Sequence, residues 1–127
     1  TVTAAKPAWV PTPIPPGCSP SIAVPGVPPI GSSSNLYGLA RCVDPAQYRV
    51  AVYIQVNGGW WIKPSFASPL TNLGYNSAWM CDITTGGVDE KATKIAAYLL
   101  PNGVNPPLLA GAGSLPGWSY PSVIVTR

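Results

Sequence analysis

The residues able to do acid–base or nucleophilic chemistry are few and far apart. The 127-residue chain has only four carboxylates, Asp44, Asp82, Asp89 and Glu90, and no histidine. Glycoside hydrolysis needs two carboxyl groups facing each other across a cleft, and nothing in the spacing sets that up. Asp89 and Glu90 are adjacent and read as a solvated turn or a helix N-cap. Asp44 precedes Pro45 and reads as a turn residue. A serine or cysteine nucleophile has no histidine to activate it. The chain therefore reads as non-enzymatic, with no catalytic residue assigned. The three cysteines, Cys18, Cys42 and Cys81, form no CxxC, which argues against a Cys/His zinc site. Asp82, Asp89 and Glu90 offer oxygens to calcium beside the Thr84–Gly87 turn, but EF-hand spacing is absent. No metal and no cofactor is assigned.

The aromatic residues carry more information. Trp60 and Trp61 are consecutive on an expected strand, so their side chains point to opposite faces. One belongs to the core, and the other is exposed or covered by a loop or partner. Sugar rings stack on flat aromatic faces, while neighbouring amides and amines bond their hydroxyls. Asn57, Gln55 and Lys63 are at hand, and Tyr53, Tyr75 and Trp118 extend the set. The candidate carbohydrate-binding residues are Trp60, Trp61, Asn57, Lys63, Tyr75 and Trp118. The plainer reading has both tryptophans packing, one inside the domain and one under the N-terminal arm. Trp79 shares a face with Cys81 and Ile83 and reads as core.

Composition narrows the partners. Apolar residues make up 46% of the chain and charged residues 9%, against about 25% charged in ordinary soluble domains. The net charge is +3 and the basic residues are scattered. A nucleic-acid surface needs them clustered, so no nucleic-acid partner is expected. No apolar run approaches the roughly 20 residues of a membrane span. There are 17 prolines and 13 glycines, the make-up of a chain with many turns and one modest core. The chain opens at Thr1, which reads as a processed mature protein or an excerpt.

Periodicity then supplies the elements that hold these residues. In Gln47–Val56, Tyr48, Val50, Val52, Ile54 and Val56 alternate with Arg49, Ala51, Tyr53 and Gln55, the pattern of a half-buried strand. Asn57–Gly58 is a strong hairpin signal, and Trp60–Lys63 is the return strand. Further strands are expected at Asn35–Val43, Pro69–Leu73, Ala78–Ile83, Lys94–Leu100 and Ser122–Arg127, with one helical turn over Asp89–Thr93. Pro101–Gly117 reads as a long loop. About seven short strands and no long helix predict an all-β, immunoglobulin- or fibronectin-like antiparallel sandwich over residues 31–127.

Residues 1–30 hold 9 of the 17 prolines and read as an extended arm. Short pieces such as Thr1–Ala4 or Ser21–Val24 are still able to lie along a sheet edge. The arm is either a linker, with Ser and Thr suited to O-glycosylation, or an element that docks on another subunit. Its apolar Trp9, Val10 and Ile14, with Cys18, are the candidate assembly residues. An odd cysteine count suggests one pair and one leftover thiol. The expected pair is Cys42–Cys81. Cys18 is then free or cross-links another subunit; otherwise it pins the arm by pairing with Cys42 or Cys81.

The segments GGWWIKP and DITTGG, followed by GSLP and a closing VTR, resemble a small immunoglobulin-like β-sandwich module of secreted bacterial proteins. The resemblance covers about residues 35–127. Such modules sit beside glycoside hydrolase or lyase domains, which implies an accessory, carbohydrate-binding role. The residues favour a secreted, cell-surface structural or adhesive subunit that self-associates through its arm into a filament, pilus or surface layer. The alternative is an accessory module that binds a polysaccharide.

Overall fold

The strand over Tyr48–Val56 organises the chain, because it is apolar on both of its faces. In the computed structural model, which describes residues 17–127, nine strands follow in order. They are β1 (Ser21–Gly26), β2 (Leu36–Arg41), β3 (Tyr48–Val56), β4 (Gly59–Lys63), β5 (Leu70–Asn72), β6 (Ala78–Cys81), β7 (Lys94–Pro101), β8 (Ala110–Ala112) and β9 (Ser122–Thr126). A 3₁₀ turn spans Asp89–Lys91. Among the described residues no helix is long and apolar enough to cross a membrane.

The strands form two antiparallel sheets. The larger has six strands in the order β8-β4-β3-β7-β9, with β5 also on β3. β4 and β5 lie end to end along one edge of β3: Val52–Val56 pair with β4 and Arg49–Ala51 with β5. β7 runs along the whole opposite edge. The smaller sheet has three strands, β1-β2-β6. Asn57 and Gly58 join β3 to β4 with φ of 51° and 78°, the positive values a tight hairpin requires.

One core lies between the sheets. Val50, Val52, Ile54 and Val56 of β3 and Ile95, Ala97 and Leu99 of β7 pack there against Ile22, Leu36, Ala40, Trp79 and Cys81 of the smaller sheet. The expected alternation of buried and open residues along β3 does not hold, because the other face is buried too. Ala51, Tyr53, Trp60, Ile62, Ala96, Tyr98 and Leu100 form a second cluster, covered by Val104, Leu109, Leu115, Trp118 and Tyr120 from the segment after β7. Tyr53, Tyr98, Trp118 and Tyr120 stack edge to face in sequence, with ring centroids 5.4–5.9 Å apart. The Tyr53 hydroxyl donates to the Pro107 carbonyl at 2.9 Å. Burial, and for Tyr53 also the neighbouring Tyr98, pushes the Tyr53 and Tyr98 phenols above the ordinary tyrosine range, so both stay neutral.

Nine strands stand where seven were expected. β8 lies inside the expected loop, and β1 lies inside the expected arm, around the Ser21–Val24 sheet-edge piece. β1 tolerates Pro25 because its outer side is a sheet edge, where no ladder bond is lost. The disulfide also differs from the expected Cys42–Cys81 pair: it joins Cys18 to Cys42, with Cα atoms 5.6 Å apart. The β1–β2 register explains the choice. Ser21 pairs with Arg41, so the residues just before β1 meet those just after β2. Cys81 instead faces the inter-sheet core as a free thiol, and burial pushes it up to about 11, which keeps it protonated. Trp9, Val10 and Ile14, and the suggested Thr1–Ala4 piece, lie outside the described residues.

The close packing of the smaller sheet has a direct test. Gly38 pairs with Trp79 across β2 and β6, and a Cβ at Gly38 would collide with the indole ring. Gly38→Ala is expected to lower the urea midpoint by the equivalent of about 1–3 kcal/mol. Gly113→Ala, where a Cβ meets open space, is expected to leave it unchanged.

Candidate functional site

The two sheets are unequal in width, and the mismatch produces a groove. Trp61 and Lys63 pair with Ile54 and Val52, so they point to the inter-sheet side of the larger sheet. The smaller sheet ends at β6, which packs near β5 and not over β4. The chain leaving β6 crosses above β4 instead. Between this crossing and the β3–β4 hairpin lies a groove of about 590 Å³, walled by Val56, Asn57, Trp61, Thr85, Val88 and the glycines of both loops.

The crossing is fastened by a buried ion pair. Lys63 Nζ donates to Asp89 Oδ2 at 2.5 Å and to Thr85 Oγ1 at 3.0 Å. The same carboxylate oxygen accepts the backbone N–H groups of Thr85 and Gly86, each at 3.1 Å. Both side chains are about nine-tenths buried. Three donors on one oxygen tie the turn to β4 and cancel the charge of the groove floor. Asp89 is therefore a clamp within the fold, not a solvated turn residue. Asp82 accepts from Thr84 N–H at 3.0 Å. No three of the described His, Cys, Asp and Glu residues come together as a metal would need.

Trp61 forms the apolar wall and is 40% exposed, although it faces the interior side of its sheet. Its ring lies against the backbone of Gly111 in β8, which has φ 90°; a Cβ there would approach the indole to 3.3 Å. Trp60 points the other way and is 6% exposed in the second core. The consecutive tryptophans are thus divided as strand geometry requires.

Of the six candidate sugar-binding residues, the structure brings together Asn57, Trp61 and Lys63. It does not bring the others to them. Trp60 is enclosed on the opposite face of the sheet, and Trp118 covers that same face. Tyr75 stands exposed on the β5–β6 turn, away from the groove. Sequence reading missed Thr85, Val88, Asp89 and Gly111 as wall residues. The DITTGG segment was a signal for the first of these, but the Lys63–Asp89 pairing joins residues 26 apart and has no local signature.

Comparison with protein-family models, with curated proteins and with solved structures gave no match.

The clamp predicts non-additive stability. Lys63→Met leaves a buried, unpaired carboxylate and is expected to cost about 3–5 kcal/mol in chemical denaturation. Adding Asp89→Leu is expected to recover part of that loss. A cost below about 1 kcal/mol for Lys63→Met alone would show that the pair does not hold the crossing.

Proposed function

We propose that this chain is a non-enzymatic, extracellular module that binds a saccharide in the Trp61 groove. The observation that carries the reading is the half-exposed indole face of Trp61, forming one wall of a groove shared with Val56, Val88, Asn57, Thr85 and backbone glycines. Sugar rings present apolar C–H faces to such a wall and hydroxyls to amides. The groove volume lies within the roughly 300–1,000 Å³ range of small-molecule sites. Among the described residues its charged side chains are Lys63 and Asp89, which neutralise each other and so favour an uncharged glycan over an acidic one. The disulfide agrees with an oxidising, extracellular setting. Two facing antiparallel sheets agree with an immunoglobulin-like accessory module of the kind the sequence resembles.

A second reading, a surface subunit that self-associates into a filament or layer, is favoured by a different observation. β9 ends the larger sheet with no strand hydrogen-bonded beyond it among the described residues, although β1 of the smaller sheet approaches it, and unpaired strand edges are docking sites.

The saccharide reading is tested on a panel of neutral and acidic oligosaccharides. Trp61→Ala is expected to weaken binding of a neutral glycan at least about tenfold, or ~1.4 kcal/mol. Tyr75→Ala, outside the groove, is expected to have no effect. Equal binding by parent and Trp61→Ala, with the fold intact, removes the groove as the site.

A further inference from the structure

The direction of every backbone group on β9 follows from two bonds. Leu99 N–H donates to the Pro121 carbonyl and Arg127 N–H to the Thr93 carbonyl, both at 2.9 Å. Bonded and non-bonded pairs alternate along an antiparallel ladder. With Ala97 opposite Val123 and Ile95 opposite Val125, Val123 and Val125 turn their N–H and C=O groups to β7. Ser122, Ile124 and Thr126 turn theirs outward.

Free edges are ordinarily blunted by proline, bulges, shortness or charge. The other edge strands here carry such protection. β1 contains Pro25 and an irregular register between Ala23 and Gly26. β8 has three residues, with Gly111 at positive φ, and β5 has three residues behind Pro69. β6 has four. β9 has five residues, SVIVT, with no proline, glycine or charge. The adjoining cation, Arg127, is held by the carbonyls of Pro28, Pro29 and Ser32 at 2.9, 2.7 and 3.3 Å. Ile124 at the middle of the strand is 55% exposed.

We infer that β9 pairs antiparallel with β9 of a second copy of this chain, about a two-fold axis at Ile124. The inference rests on the self-association reading and narrows it to a dimer, since a two-fold contact closes on itself and does not propagate a filament. The edge is complementary to itself about that residue. Ile124 faces the partner's Ile124, and Ser122 faces the partner's Thr126. Apolar meets apolar, hydroxyl meets hydroxyl, and no like charges oppose. The outward groups of three residues form about six backbone hydrogen bonds. The two larger sheets then continue as one across the contact, an isologous closure.

The geometry is testable with the full chain. Hydrogen-bonded antiparallel pairs hold Cα atoms about 5.5 Å apart, within the roughly 4.4–6.8 Å of disulfides. Ile124→Cys is expected to form an interchain disulfide under mild oxidation. Ser122→Cys and Thr126→Cys are expected to cross-link only when mixed. Ile124→Pro removes an outward N–H and leaves the β7 ladder whole; it is expected to be a folded monomer by light scattering where the parent is a dimer. Ile124→Lys is a milder variant with the same expected result. A parent that stays monomeric at every concentration, with no Ile124→Cys cross-link, overturns both the pairing and the self-association reading. A parent that associates together with both Ile124 variants overturns the pairing alone. Association lost both in Ile124→Pro and on removal of residues 1–16 assigns the edge to the N-terminal segment and overturns the β9–β9 contact.

Discussion

Burial of the larger sheet on both faces is the constraint from which the rest of the structure follows. Val50, Val52 and Ile54 on one side of β3, and Ala51 and Tyr53 on the other, are all withdrawn from solvent. A chain of this length has one modest core to spread over two faces. It covers one face with a second, narrower sheet and the other with an irregular segment stiffened by edge-to-face aromatic contacts. Each buried Val, Ile or Leu contributes roughly 1.5–3 kcal/mol of transfer free energy, so uncovering either face would be costly.

The unequal covers create the site. A three-stranded sheet does not reach across a six-stranded one, and the uncovered part of β4 is bridged by a turn. Lys63 and Asp89 hold that bridge as a buried ion pair, and Trp61 stands between the bridge and β8. A buried ion pair adds little net stability over apolar packing, but removing one partner is expensive. The pair therefore fixes the position of the turn more than it stabilises the domain. The groove is preorganised by elements that also form the core.

Much of the fold was legible in local pattern. The two-residue period of Gln47–Val56, the Asn57–Gly58 turn and the returning Trp60–Lys63 appear in the structure nearly at their expected bounds. Period alone does not reveal what covers the second face, because Tyr53 and Tyr98 are compatible with either water or packing. β1 was legible as the Ser21–Val24 sheet-edge piece, and it runs on through Pro25, which an edge strand tolerates and a central one does not. The Cys18–Cys42 bond depended on the register of that strand. At the site, opposite orientations of Trp60 and Trp61 followed from strand geometry, whereas the exposed member was decided by sheet width. Tyr75 and Trp118 were placed on the candidate platform by residue type, and the topology separates both from it.

The most direct measurement is the indole N–H resonance of each tryptophan during titration with neutral oligosaccharides. The account predicts a saturable shift at Trp61 with a matching change at the Asn57 side-chain amide, while Trp60, Trp79 and Trp118 stay fixed. A shift confined to Trp118, or binding that leaves Trp61 unmoved, would contradict the assignment of the groove.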